Sequence, residues 1–423
     1  MSVERISQKS RVKMTLTVPG DKSISHRAVM ISSLAYGLTE IKGFLPGEDC
    51  LSTIACFRKL GINIICGDES LSVYGKGVMG LNSPGNEILN VGNSGTTLRL
   101  ITGILSGQGF NSRLTGDTSI QKRPMKRIFE PLCQMGAEFS NDETAPFTVF
   151  GRPLKGVSYT LPIASAQVKS AIILAALYAE GETVIVEPQP TRDHTEIMMK
   201  HFGAGIDKIG SQIKIRKTPR LYACNLQIPG DISSAAFFIA LGMIVPDSEV
   251  KITGVGVNPT RTGILDAFTN MGGQIIISNK RKAAGEDVAD ITVYSSKLKG
   301  IEISGNLVPR MIDEIPILAA AAVFAEGRTI IRNAEELRFK ESNRIRTAAM
   351  ELSKFGAHVF ETPDGLIIES GGSLNGTIVN SHNDHRIAMS LAIAACAIQD
   401  DTFIKNSDCV NISFPSFFNL LRG

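Results

Sequence analysis

The sequence has no tryptophan, and phenylalanine and tyrosine together reach only 6%. Proteins that stack single-stranded bases need exposed aromatics, so that class is disfavoured. An excess of one charge is also missing. The 44 lysines and arginines against 41 acidic residues leave a net +3, too balanced for a binder of nucleic-acid backbones. The seven cysteines (50, 56, 66, 133, 224, 396, 409) include no Cys-x-x-Cys pair and no Cys/His set at zinc spacing. They read as reduced, mostly buried thiols of a cytosolic protein. Residues 1–13 are polar and basic, without the apolar core of a signal peptide. The richest apolar runs, such as residues 315–325, fall well short of a membrane span. The expectation is a cytoplasmic protein with no metal, no cofactor, no nucleic-acid partner and no membrane partner. Low-complexity tracts are absent too, and 43% hydrophobic residues over 423 positions imply a fully globular chain, long enough for two domains.

What is present is a recurring turn. In Val18-Pro-Gly-Asp-Lys-Ser-Ile-Ser-His-Arg27 a strand-like run stops at Pro19-Gly20 and an apolar helix follows. Ser23 or Ser25 can cap that helix, and the free N–H groups of its first turn form an anion site. Taken alone, the turn is equally an ordinary capped helix with surface charges. Recurrence changes that. Residues 226–234 nearly repeat residues 16–24, and polar small residues open apolar helices again at 92, 164, 309 and 383. Starts at 20, 92, 164, 230, 309 and 383 are 66 to 79 residues apart. A second marker, glycine after an amphipathic helix, falls at Gly61, Gly136, Gly203, Gly272 and Gly356. Two independent markers with one period imply six repeats.

Each repeat reads as a βαβαββ unit, so the fold class is α/β, with three repeats in each of two domains. The paired Pro-Gly-Asp turns at 19–21 and 229–231 read as chain crossings. They place one domain at 20–229 and the other at 1–19 plus 230–423, with a two-strand hinge near 18–21 and 228–231. Equivalent helix N-termini pointing into one interdomain cleft would focus positive dipoles there. Lys22, Arg27, Arg123, Arg192, Lys340, Arg344 and Arg386 add cations on those turns or near them. The reading is a site for polyanionic small molecules, against the alternative of solvated surface charge.

The motifs Lys22-Ser23, 92–97, 116–125 with Arg123, Ser165-Ala-Gln167, Thr191-Arg-Asp-His194, Asp313-Glu314, Lys340-Glu-Ser-Asn-Arg344 and Asn383-Asp-His-Arg386 occur in that order. Together they resemble the 5-enolpyruvylshikimate-3-phosphate synthase family over essentially the whole chain. The Ser-Ala-Gln triplet and Arg192 are similar to its class II branch. The resemblance implies two domains closing around substrate, with the enolpyruvyl group of phosphoenolpyruvate moving to the 5-hydroxyl of shikimate 3-phosphate. It implies no cofactor, and a monomer is expected.

By the same resemblance, Lys22, Ser23 and Arg27 contact shikimate 3-phosphate, Lys22 also reaching phosphoenolpyruvate. Ser165, Ala166 and Gln167 hold the phosphate region, with Arg192 adding charge. Arg123, Arg344, Arg386 and the backbone from Asn93 to Gly95 form the phosphoenolpyruvate clamp. Arginine suits it because a planar fork meets carboxylate and phosphate bidentately. Asp313 and Lys340 reach the 5-hydroxyl. Asp313 is the expected base and Glu341 the expected C3 acid/base, with Lys22 a competing donor. Asp313-Glu314 could instead be a charge pair at a helix start, and Glu341 a partner of Arg344. Glyphosate competes at the clamp in this family, and tolerant class II members often carry alanine where this chain has Gly95. Some members carry a lysine three residues before the proline of the final Phe-Pro; here that position is Ile412, so no C-terminal lysine is assigned. The related UDP-N-acetylglucosamine enolpyruvyl transferases use a loop cysteine, and residues 115–125 have none. A non-catalytic anion sensor and an RNA-end-processing enzyme are the remaining alternatives.

Overall fold

The computed structural model describes residues 2–68, 70–141, 143–218 and 220–422. The chain divides into two compact units. One comprises Gly20–Ile228 with Lys282–Glu286; the other comprises Met1–Pro19, Pro229–Arg281 and Asp287–Gly423. Each has its own hydrophobic core, and the two cores share no residue. Lys282–Glu286 marks a difference from the expected division, which kept all of 230–423 together. These residues span the turn between the long strands Gln274–Ala283 and Glu286–Tyr294, and they pack with the Gly20–Ile228 unit.

The fold is α/β, and among the described residues the strands form six sheets, one per repeat. In the second repeat, Ile88–Asn90 runs parallel to Asn111–Thr115, with Leu89 opposite Leu114. Asn111–Thr115 then pairs antiparallel with Phe147–Phe150, and that strand with Glu138–Phe139. The helix Gly95–Ser106 makes the parallel crossover, as such a connection requires.

The equivalent first helices are Lys22–Leu34, Ala166–Ala176, Ile232–Ile244, Ile315–Ala322 and His385–Ala395. They are buried nearly all round and mostly apolar, although Lys22–Leu34 also buries Ser25, His26 and Arg27, and Ala166–Ala176 buries Lys169. The second helix of a repeat lies nearer the surface. Glu48–Lys59, Lys126–Gln134, His194–His201 and Gly263–Asn270 each end one residue before a capping residue and then a marker glycine. Gly61, Gly136, Gly203 and Gly272 have φ of +83°, +98°, +86° and +89°. A left-handed residue closes a helix C-terminus, and glycine takes that conformation without a Cβ clash.

The Pro-Gly-Asp turns explain the double crossing. Lys13–Thr17, which leads into the first turn, pairs in parallel with Glu249–Gly256 of the fourth repeat. Leu226–Gln227, which leads into the other, pairs with Ile41 and Lys42 of the first. Each unit thus takes its first edge strand from the segment preceding the other's helix. Val3–Ile6 pairs antiparallel with Thr402–Lys405, filling the place that a hairpin strand fills elsewhere.

Two local expectations change. The first helix is capped by Asp21, whose carboxylate accepts from the Ile24 N–H at 2.8 Å, while the Ser25 hydroxyl accepts from Leu45 N–H. Asp lies one residue before the helix, so it alone has the extended backbone a cap needs. In the fifth repeat the helix does not start at 309. Gly305–Arg310 and Ile312–Glu314 are 3-10 turns, and the α-helix begins at Ile315 with Pro316 in its first turn. Proline lacks an N–H, and the first turn is where that loss costs least.

Candidate active site

In the Gly20–Ile228 unit the starts of several helices are tied together by side chains. Arg27 is buried, yet its hydrogen bonds go to neutral oxygens: Nε to Thr195 Oγ1 at 2.7 Å, and the terminal nitrogens to Ser170 Oγ at 2.9 Å and the Ser23 carbonyl at 2.8 Å. Burial pulls its pKa down to about 10, which still leaves it charged at neutral pH. These contacts join Lys22–Leu34 to Ala166–Ala176 and His194–His201. Lys22 Nζ lies 2.5 Å from Asp49 Oδ2, on the first turn of Glu48–Lys59.

The 92–97 turn is built on Ser94, which caps Gly95–Ser106 by accepting from Thr97 N–H at 3.1 Å. Asn93 donates to Asp117 Oδ2 at 2.5 Å and accepts from an Arg123 terminal nitrogen at 2.8 Å. Arg123 also reaches Ser119 Oγ at 3.3 Å. An added Cβ on Gly95 would stand 3.1 Å from the Arg99 terminal nitrogen and 3.2 Å from that of Arg123. Arg99 donates to Gln167 Oε1 at 2.5 Å, and Gln167 donates to Thr96 Oγ1 at 3.2 Å. Ser165 caps the next helix through Val168 N–H, and Ala166 opens it. Lys22, Ser23, Arg27, Asn93, Gly95, Arg123, Ser165, Ala166, Gln167 and Arg192 therefore all lie in this unit, most of them in a few small sets of contacts at helix starts.

Beneath them is a cluster that sequence reasoning missed. Lys169 is fully buried, with Nζ 2.8 Å from Glu187 Oε1 and 2.6 Å from Glu196 Oε1. Burial raises the Glu196 carboxyl. Burial also opposes ionisation of Glu187, but Lys169 and Thr191 outweigh it and hold that carboxyl low. Glu187 accepts from the Thr191 hydroxyl at 2.5 Å and from its N–H at 3.2 Å, fixing the chain just before Arg192. The available signal was a lysine inside the apolar run 164–176. Arg99 and Asp49 were likewise missed.

In the other unit, Arg344 is 2% exposed and held by carboxylates on three sides. Its Nε lies 2.8 Å from Asp384 Oδ2, and its terminal nitrogens lie 2.6 Å from Glu341 Oε2 and 3.5 Å from Asp313 Oδ1. Burial disfavours its charge, but Asp384 and Glu341 more than compensate and raise its pKa. Asp384 in turn is lowered, because Arg344 outweighs burial. Lys340 Nζ is 3.6 Å from Asp313 Oδ1 and 2.9 Å from Glu336 Oε1. Arg386 approaches Glu314 Oε1 at 4.0 Å. Glu314 also accepts a short bond from the Ser233 hydroxyl, to which Arg261 donates at 2.6 Å. Asp313, Lys340, Glu341 and Arg344 thus form one cluster, and the Glu341–Arg344 pairing that sequence left open is made. Asp384 was quoted in its motif without a role; it is the anchor of Arg344.

Among the described residues, no helix is long and apolar enough to cross a membrane, and no group of three or more His, Cys, Asp or Glu is arranged to hold a metal ion.

The family model described as EPSP synthase (3-phosphoshikimate 1-carboxyvinyltransferase) matches residues 6–421. A curated 3-phosphoshikimate 1-carboxyvinyltransferase from Thermoanaerobacter pseudethanolicus is 55% identical over 420 residues, covering 99% of each chain. One from Bacillus anthracis is 50% identical over 410 residues, 96% of this chain and 95% of its own. Among solved structures, an EPSP synthase from Acinetobacter baumannii matches with a TM-score of 0.90 at 43% identity, covering 99% of this chain and 97% of that one. The enolpyruvyl transferase NikO from Streptomyces tendae matches with a TM-score of 0.79 at 17% identity over 99% of this chain and 95% of its own, a likeness of fold alone.

Proposed function

The chain belongs to the EPSP synthase family, and on that premise we propose how its residues divide the work of transferring the enolpyruvyl group of phosphoenolpyruvate to the 5-hydroxyl of shikimate 3-phosphate. One observation carries the division. The hydrogen bonds of Arg27 and Arg123 go to hydroxyl, amide and carbonyl oxygens and not to a carboxylate. The other unit instead places Asp313 and Glu341 on the same guanidinium, where acids and bases are needed.

Lys22, Ser23, Arg27, Ser165, Ala166, Gln167 and Arg192 take the shikimate 3-phosphate side. Each phosphate brings roughly −1.5 to −2 charges at neutral pH, so cations and helix N-termini are needed to seat two phosphorylated substrates together. Arg123, the 93–95 backbone, Arg344 and Arg386 clamp phosphoenolpyruvate. Lys340 and Asp313 hold the 5-hydroxyl. Asp313 takes its proton as the oxygen bonds to C2, while Glu341 gives a proton to C3, making a methyl group. Glu341 then removes a proton from that methyl group as the C2–O bond to phosphate breaks and phosphate leaves. Lys22 is the competing proton donor. The two residue sets lie on different units, so the reaction requires closure about the turns at 18–21 and 228–231. Seven free thiols suit a reducing compartment, and we place the enzyme in the cytoplasm as a monomer.

The deciding experiment is phosphate release from phosphoenolpyruvate with each acceptor. Release is expected with shikimate 3-phosphate and none with UDP-N-acetylglucosamine; the reverse pattern would overturn the assignment.

A further inference from the structure

We propose that Glu351, which no substrate-facing motif contains, is a positioning residue: it holds the left-handed turn 380–384, which ends at Asp384 and leads into the helix that carries Arg386. The inference rests on the reading of Arg344 and Arg386 as the phosphoenolpyruvate clamp.

The helix Arg344–Ser353 starts with Arg344 and carries Glu351 seven residues later, two turns on and on the same face. Arg344 grips Asp384. Glu351 reaches the other end of the same turn. Its side chain is fully buried and accepts from the Asn380 N–H at 2.8 Å, from His382 Nε2 at 2.9 Å and from Lys354 Nζ at 2.8 Å. Burial pushes this carboxyl up, but the bonds from Lys354, His382 and Asn380 outweigh it and keep the group below its ordinary range. Glu351 is therefore ionised at neutral pH, and two of its three donors belong to the turn.

The turn needs such an anchor. His382 and Asn383 are consecutive non-glycine residues with φ of +53° and +59°. L-residues pay a steric cost in that region, and it persists only where the surroundings over-determine it. Part of the determination is internal: His382 N–H to Asn380 Oδ1 at 2.9 Å, Asn383 N–H to Ser381 Oγ at 3.0 Å, and Asp384 N–H to the Ser381 carbonyl at 3.0 Å. Two links run to the rest of the fold: Asn406, whose amide donates to Asn380 Oδ1 at 3.0 Å and whose carbonyl accepts from the Ser381 hydroxyl at 2.9 Å, and Glu351, which alone of the two holds His382. Asp384 leaves the turn already aimed, accepting from the Arg386 N–H at 3.0 Å and from Arg344 Nε at 2.8 Å. One helix face thus fixes the turn twice, through Glu351 at 380–382 and through Arg344 at 384. Glu351 touches neither substrate nor reacting atoms; it acts through the backbone that carries Arg386.

The test is steady-state kinetics of the full-length enzyme carrying Glu351→Gln, with His382→Gly added in a double variant and Arg386→Ala as a control. Glu351→Gln keeps the volume and removes the charge. It should raise KM for phosphoenolpyruvate about tenfold, with kcat and KM for shikimate 3-phosphate within about twofold. Glycine occupies positive φ freely, so adding His382→Gly should bring that KM most of the way back, a rescue that a merely destabilised protein would not show. Should Glu351→Gln not fold well enough to assay, Glu351→Asp, with a shorter reach to the same donors, should show a smaller rise with the same rescue. If Arg386→Ala raises KM but the Glu351 variants do not, the inference fails and the clamp reading stands. If Arg386→Ala leaves KM unchanged, the clamp reading fails. A rise that His382→Gly leaves or deepens would also overturn the inference.

Discussion

Gly95 opens its helix without positive φ, so alanine fits there without backbone strain. What an added methyl would meet is the pair of guanidinium tips of Arg99 and Arg123, which must give by a few tenths of an ångström. Both arms are flexible, so Gly95→Ala should leave the thermal melt native-like. Glyphosate inhibits this family and is longer than phosphoenolpyruvate, with which it competes, so it should suffer more from displaced arms. Losing one charge-assisted hydrogen bond costs ~1.5–3 kcal/mol, so the ratio of glyphosate inhibition constant to phosphoenolpyruvate KM should rise about tenfold or more. An unchanged ratio would mean that tolerance is set elsewhere. The two carboxylates make a second residue-scale case. Asp313→Asn and Glu341→Gln should each depress turnover about 10²-fold or more. Glu341 is the nearer partner of Arg344, at 2.6 Å against 3.5 Å for Asp313, so only the Glu341 variant should also raise KM for phosphoenolpyruvate. Deuterium uptake from solvent at C3 of phosphoenolpyruvate should fall most in that variant. If uptake survives there and vanishes in Lys22→Met, the proton at C3 belongs to Lys22.

At the scale of elements, the first helix carries Lys22, Ser23 and Arg27, proposed above as substrate contacts, and a buried histidine. His26 Nδ1 lies 2.7 Å from Thr53 Oγ1, which lies 2.7 Å from Thr97 Oγ1, so one chain of polar contacts joins three helices. Burial drives the His26 pKa down to about 3; Asp49 opposes this, and Lys22 and Arg27 add to it. An unfolded histidine titrates near 6.5. Between those values the unfolded chain binds a proton that the folded one refuses. The stability contributed by neutral His26 is therefore complete above about pH 6.5 and is lost progressively as pH falls towards 3. Denaturant melts of the ligand-free protein should show stability falling by up to ~1.4 kcal/mol per pH unit from this group between about pH 6 and 4. His26→Gln should flatten that limb. Equal slopes in the two proteins would show that His26 accepts a proton in the fold. The sequence shows this helix's start and direction, since Pro-Gly-Asp ahead of an apolar run is local chemistry. It does not show that His26 is dry, because the residue its ring meets, Thr53, lies on another helix.

For the whole molecule, the chain crosses between units at the two Pro-Gly-Asp turns and again around residues 282–286. If the proposed site closes around substrate, its cations would repel one another until an anion bridges them. Small-angle scattering should therefore show a smaller radius of gyration when shikimate 3-phosphate is added. An unchanged radius through saturation would rule out closure on that scale. Two strands at 18–21 and 228–231 were legible as hinge candidates because the turn motif is duplicated. The excursion of 282–286 was not, because a hairpin turn looks alike whichever unit it packs against.

The sequence by itself determined what local chemistry repeats: glycines that close helices in left-handed backbone, capping side chains, mostly apolar helices and short strands at one period. Those signals lie within a few residues of one another, so six repeats and the motif cations could be read directly, though not that Val3–Ile6 completes the sheet of the sixth. Only the tertiary structure decided which charges meet. Lys22 with Asp49, Lys169 with Glu187 and Glu196, Arg344 with Asp384, and Glu351 with the 380–382 turn are each chosen by how helix ends and strands come together across long stretches of chain. An ion pair has no period and leaves no local mark. Its partner is fixed by the packing of the apolar helices beneath, which is why the sequence named Arg344 but could not say that three carboxylates already surround it.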